Sequence, residues 1–373
     1  MPIPIPVSPQ ELTPALLTEL AGDLRPGLGI GAVDIVDIKS YGDADNNVSV
    51  STSARVTIDV QYGPGAPASL PTRLLVKMSI PEDAECSNPP LDAEFINEVA
   101  FYNRLRPELE LETPLGLGGR YDPVSQRYVL LMEDVSVKSV HFNSMIDENN
   151  VAVVEAVLDT LAKLHAQYWN SPRFETDLAW VENQVEGDLE DLFDEFVHAH
   201  ILNEIGRERY KRELVEDLGT TDAELQAGLK ALKRHQATLP QTFLHGDAHY
   251  GNSYVLPDGT GGLLDWQVNA RGFLTHDIAY LIQTALSVEA RRKNERELLA
   301  FYRDRLCSYG VEEAPDAELL WLEYRRSMLY GFYMGWITAP RENYGLEVCV
   351  LGNNRTAAAY RDHEAGKLIR EIL

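Results

Sequence analysis

The sequence predicts an α+β chain of two lobes: an antiparallel sheet with one main helix comes first, and a larger, mostly helical lobe follows. Three observations predict this. A length of 373 residues exceeds what one hydrophobic core comfortably serves. Up to Glu133 the chain alternates apolar and polar residues at the strand period, broken by turn residues. From Val151 onward helical segments run almost to the carboxyl end. The turn to polar residues at Asp134 marks the boundary, giving lobes at 1–133 and 134–373.

The elements follow in order. Val33, Ile35, Val36 and Ile38 lead into the turn-rich stretch Tyr41 to Asn47, and Val48, Val50, Val56, Ile58 and Val60 continue the alternation. That pattern is a hairpin. Gly63-Pro64-Gly65 makes a second turn before Leu74-Leu75-Val76-Lys77-Met78, a short apolar strand with a single lysine. A helix is expected from Asp92 to Arg106, where Phe95, Val99 and Tyr102 share one buried face and Glu94 and Glu98 lie a turn apart beside it. Arg127 to Met132 reads as a buried strand and Val151 to Tyr168 as a helix carrying His165.

Charge narrows the partners. Lys and Arg total 33 against 58 Asp and Glu, a net charge of −25, which disfavours nonspecific binding to nucleic acid or anionic membranes. It leaves a nucleotide substrate open, since phosphates need only a local cradle of backbone donors and one or two cations. Cys86, Cys307 and Cys349 are scattered, with neither metal nor disulfide spacing, as in reduced cytoplasmic proteins. The amino terminus lacks a secretory pattern, and no apolar run reaches membrane-spanning length.

The most informative stretch runs from Phe243 to Tyr280. After Phe243-Leu244 come His245-Gly246-Asp247, then Asn252 five positions on, then a strand ending in Leu263-Leu264-Asp265, then His276-Asp277. Taken singly, an Asp among glycines is a turn residue, and Gly259, Gly261 and Gly262 read as turn chemistry, with His249 a similar case. Taken together, an Asp base, an Asn and a second Asp are what phosphoryl transfer needs: a positioned nucleophile and hard oxygen ligands for Mg²⁺. A rival reading makes His245, Asp247 and His249 alternating ligands of a metal hydrolase. It leaves Asn252 and Asp265 without roles.

HGDxHxGN followed by LDWQ and HD resembles the catalytic core of the aminoglycoside phosphotransferase and choline kinase-like (ecdysteroid kinase-like) small-molecule kinases, relatives of protein kinases. The resemblance implies a protein-kinase-like fold using ATP and Mg²⁺, with Asp247 the catalytic base, Asn252 and Asp265 holding the metal, and Asp277 bracing the catalytic loop. His245 and His165 become structural. Lys77 is expected on the nucleotide phosphates, held by Glu98 in preference to Glu94. Asn46 and Asn47 could point backbone amides at phosphate, and the backbone from Leu131 to Asp134, with Met132 and Asp134, would meet the adenine. The first lobe becomes the nucleotide-binding one, the second the catalytic and acceptor-binding one. Asp265-Trp266-Gln267 stands where protein kinases carry Asp-Phe-Gly, which argues against a peptide substrate.

Two features bear on the acceptor. From Glu175 to Glu195 there are nine acids and no Lys or Arg, a solvated face by default, or the border of a pocket for a cationic sugar or amino alcohol. Trp321, Tyr324, Tyr330, Phe332, Tyr333 and Trp336 crowd one helical stretch, a packing seam or a surface for an apolar acceptor. The expectation is an apolar or amphipathic alcohol near Tyr330, Tyr333 or Trp336. A scaffold that binds nucleotide without catalysis is the reading of another class, and it has no need for both a base and metal ligands.

Overall fold

The computed structural model describes residues 5–40, 54–79 and 92–373. The chain divides into two compact units, residues 1–140 and 141–373. In the first, five antiparallel strands lie in the order β1-β2-β3-β5-β4: β1 (Ile30–Ser40), β2 (Ala54–Tyr62), β3 (Arg73–Met78), β4 (Gly116–Asp122) and β5 (Arg127–Glu133). Val56, Ile58, Val60, Leu74, Val76 and Met78 alternate onto one face and are buried with Leu17 and Leu20 of helix α1 (Pro14–Gly22). Period-two alternation and β-branched side chains account for this sheet. Helix α2 (Asp92–Ala100) continues as a π-turn over Phe101–Leu105. The turn carrying Asn46 and Asn47 lies outside the described residues.

The second unit is mostly helical. Its helices are α3 (Val151–Gln167), α4 (Asp188–Leu192), α5 (His198–Arg207), α6 (Arg209–Asp217), α7 (Asp222–Gln236), α8 (Thr275–Ala285), α9 (Val288–Ser308), α10 (Ala317–Tyr330), α11 (Arg341–Tyr344), α12 (Leu346–Asp362) and α13 (Ala365–Arg370). Two small ladders sit among them. Strand β6 (His141–Phe142) pairs with β8 (Ser253–Val255), which pairs with β9 (Gly261–Leu263), and β7 (Thr242–Leu244) pairs with β10 (Ala270–Gly272). Gly261 and Gly262 therefore stand within a strand and not in a turn. A Cβ on Gly261 would lie 2.5 Å from the Ala156 carbonyl of α3, and one on Gly262 2.3 Å from the Tyr254 ring. Close packing demands them, while Gly259, at φ +90°, makes the turn. No helix among the described residues is long and apolar enough to cross a membrane.

Candidate active site

The loop after β7 is fixed from beneath by a buried carboxylate. Asp277, in the first turn of α8, accepts the backbone N–H of His245 at 2.7 Å and of Gly246 at 3.0 Å. His165 Nε2 meets the same carboxylate at 3.1 Å, and Tyr302 OH bonds His165 Nδ1 at 2.6 Å. Burial alone would raise the Asp277 carboxyl, but the His165 hydrogen bond opposes it and the group lies below its ordinary value. The loop is also gripped by its carbonyl: His276 Nε2 reaches Gly246 O at 2.8 Å and Tyr330 OH donates to it at 3.1 Å. Gly246 sits at φ +86°, where a Cβ would lie 1.9 Å from Val268 O, so only glycine allows this turn.

His245 is buried and spends both ring nitrogens inside the protein. Its Nδ1 accepts the backbone N–H of Asp247 at 3.2 Å, which leaves the proton on Nε2 for Leu264 O at 2.7 Å. Its ring also lies 4.5 Å from that of Trp266, so His245 ties this loop to the segment bearing Asp265. Burial pushes its pKa down, and such an imidazole has no lone pair left for a metal. The alternating His245-Asp247-His249 hydrolase set is not built. His249 instead caps the short turn Tyr250–Asn252, with Nδ1 accepting Gly251 N–H at 3.1 Å, and burial holds its pKa near about 4.

Asp247 and Asn252 meet directly. Asn252 Nδ2 donates to Asp247 Oδ2 at 2.9 Å and to Asp247 O at 3.0 Å. The β8–β9 hairpin then brings in Asp265: Ser253 pairs with Leu263 and Leu264 N–H donates to Asn252 O at 2.8 Å, so Asn252 faces Leu264 and Asp265 is the next residue of that strand's exit. Asp265 is half-buried, in left-handed backbone at φ 63°. In the first unit, Lys77 Nζ donates to Glu98 Oε1 at 2.6 Å, with both side chains buried. Met132 is buried in β5, and the Asp134 N–H goes to Arg73 O at 3.3 Å while its carboxylate caps the following turn at Ser136 N.

Tyr330 and Tyr333 are buried, the first on Gly246 O and the second with its OH 2.8 Å from His198 Nδ1. The Trp336 side chain lies outside the described residues. Sequence reasoning gave no part to His276, although it stands next to Asp277. Nor did it reach Tyr302, whose bond to His165 spans 137 residues and has no local signal.

A family model described as the phosphotransferase enzyme family matches residues 73–316. Among solved structures, a Plasmodium vivax ethanolamine kinase is similar with a TM-score of 0.50 at 13% identity, over 89% of this chain and 83% of that one. That likeness shows the two-lobed kinase-like fold. The choline kinase LicA from Streptococcus pneumoniae also matches, with a TM-score of 0.43 at 13% identity, covering 94% of this chain and 97% of that one. So does aminoglycoside phosphotransferase APH(3'')-Id from Streptomyces rimosus, solved in complex with ADP and streptomycin, at 0.40 and 17%, covering 76% and 92%. No curated protein sequence matches the chain.

Proposed function

The chain belongs to the phosphotransferase enzyme family, small-molecule kinases that move a phosphoryl group to a hydroxyl, and on that premise we propose that it transfers the γ-phosphoryl group of ATP, with Mg²⁺, to an apolar or amphipathic alcohol. The observation that carries this reading is the Asn252–Asp247 contact at 2.9 Å. It fixes a part-exposed carboxylate on a loop held from below at the His245 and Gly246 backbone. Asp247 accepts the proton of the acceptor hydroxyl. With Nδ2 given to Asp247, Asn252 presents its Oδ1, and with the Asp265 carboxylate this makes an all-oxygen set that suits Mg²⁺. The metal, when bound, spreads the charge of the transferring group. Lys77 takes the nucleotide phosphates and Glu98 holds Lys77 in place. The base of the nucleotide is assigned to the segment Met132 to Asp134.

Beside Gly246 the second unit joins apolar Leu189, Phe193 and Val268 with polar Glu190, Lys233 and His276, and the apolar or amphipathic acceptor is carried over from the sequence reading. The test is Mg-ATP consumption over a library of aminoglycosides, amino alcohols, sterols and fatty alcohols, with the phosphorylated product identified by mass. Turnover with an apolar alcohol that disappears in Asp247→Ala is expected. Turnover confined to aminoglycosides would overturn the acceptor class, and none with any hydroxyl compound would leave a nucleotide-binding scaffold.

A further inference from the structure

The first unit carries a row of three cations on one face of its sheet. In the strand register Lys39 of β1 stands opposite Arg55 of β2, and Arg55 opposite Lys77 of β3. Residues paired across antiparallel strands share a face. It is the face turned away from the core, because the neighbouring Ala54, Val56, Val76 and Met78 belong to the buried cluster that includes Leu17 and Leu20 of α1. Lys77 is bonded to Glu98. Arg55 is half-buried, and its Nε is shielded from water with no hydrogen-bond partner among the described residues. No carboxylate among those residues pairs with Arg55 or with the exposed Lys39.

Like charges set opposite one another across strands destabilise a sheet, and a shielded donor without a partner adds to the cost. A lysine on an edge strand guards that edge against further pairing, which accounts for Lys39. It does not account for Arg55, since β2 has β1 on one side and β3 on the other. The next row on the same face is Asp37, Thr57, Leu75 and Met132. Its one carboxylate stands at the β1 edge, and its far end is Met132, where the segment assigned to the base of the nucleotide begins. Base and phosphates would then follow successive rows of one face. We propose that Arg55 is a second phosphate-binding residue, gripping the triphosphate of the nucleotide beside Lys77. The inference rests on the nucleotide site of the phosphotransferase reading. A guanidinium presents paired, coplanar N–H donors that match phosphate oxygens, and the buried Nε is one of them. Lys39, out at the rim, adds only a screened charge.

The test measures binding apart from turnover, with ATP and inorganic tripolyphosphate by calorimetry and adenosine by ligand-detected NMR. Arg55→Met is expected to weaken ATP and tripolyphosphate by about tenfold or more, to leave adenosine unchanged, and to flatten the salt dependence of ATP binding. Arg55→Lys should recover part of the loss, and Lys39→Met should lose less than Arg55→Met. Unchanged affinity for ATP and tripolyphosphate in Arg55→Met, an equal loss for adenosine, or a wild type that binds neither anion overturns the proposal. If Arg55→Met does not fold, Arg55→Gln takes its place, and wild-type affinity for ATP in that variant rejects the role. ATP weakened by Lys77→Met but not by Arg55→Met rejects Arg55 and leaves the nucleotide reading standing. Tripolyphosphate weakened by Arg55→Met, in a protein that neither prefers ATP to it nor binds adenosine, sustains the anion site and rejects that reading.

Discussion

Asp277 reaches across 32 residues of chain to accept the backbone N–H of His245 at 2.7 Å, so the first helix after the β8–β9 hairpin carries the anchor of the loop that bears Asp247. Asp277→Ala would leave two backbone donors and His165 facing an empty, dry space. A loss of about 3–5 kcal/mol in unfolding free energy is expected, the scale for breaking a buried charge pair, with Asp277→Asn milder because one acceptor oxygen remains. Urea denaturation measures it, and a change under about 1 kcal/mol would show that the loop has other support.

Asp247→Asn should lower turnover by about two to four decades, the range of general base catalysis, while ATP binding by calorimetry stays nearly unchanged. In the proposed reading its carboxylate acts on the acceptor and not on the nucleotide. Wild-type turnover in this variant rules out Asp247 as the base.

Asp265→Ala should remove the Mg²⁺ dependence of ATP binding, because the proposed site would lose its charged oxygen ligand. Titrations of ATP with and without Mg²⁺ read this directly. Unaltered linkage would move the metal elsewhere.

Lys77 and Glu98 form a buried pair, so the two should behave as one unit. Either single replacement by alanine is expected to cost stability by about 3–5 kcal/mol through the stranded partner. The double replacement should cost less than the two singles added together. Additive losses in denaturation would mean that the pair carries no coupling.

Burial holds His245 and His276 neutral, with folded pKa values below the ordinary imidazole value. As pH falls below about 6.5 the unfolded chain takes up protons that the folded one refuses, so stability declines toward acid and is regained on raising the pH. Each imidazole contributes about 1.4 kcal/mol per pH unit in that range. For His249 the window closes near about 4, and His249→Gln should flatten the slope by one imidazole's share. Denaturation series between pH ~7 and ~5 test this, and an unchanged slope in the variant would count against a neutral folded His249.

Much of the architecture was legible in the sequence because periodicity reports burial. Val56, Ile58 and Val60 alternate, and they line the core of a sheet. The family and its two-lobed fold were legible in the spacing from His245 to Asp277, and a short hairpin sets Asn252 opposite Leu264, one residue before Asp265. Glycines misled where packing, not turning, required them: Gly261 and Gly262 are in a strand because α3 and Tyr254 come so close. What could not be read was long-range. Tyr302 completes the support of His165 from another helix, and Lys233 neutralises Glu190 across 43 residues of chain. Most of the acid run is exposed, as it reads by default, and Glu190 alone of its acids is buried.

Asp265 occupies left-handed backbone at φ 63°, a region that most side chains enter at a cost of roughly 1–2 kcal/mol. Only Gly, Asn and Asp take it with ease. Of these, Gly has no ligand atom and Asn no charge, so mutational drift at this position has a narrow path. With Asp265 as the proposed metal ligand, every step away from Asp either forfeits that role or burdens the fold, and a descendant that abandoned phosphoryl transfer would be expected to carry Gly or Asn here before any bulkier residue.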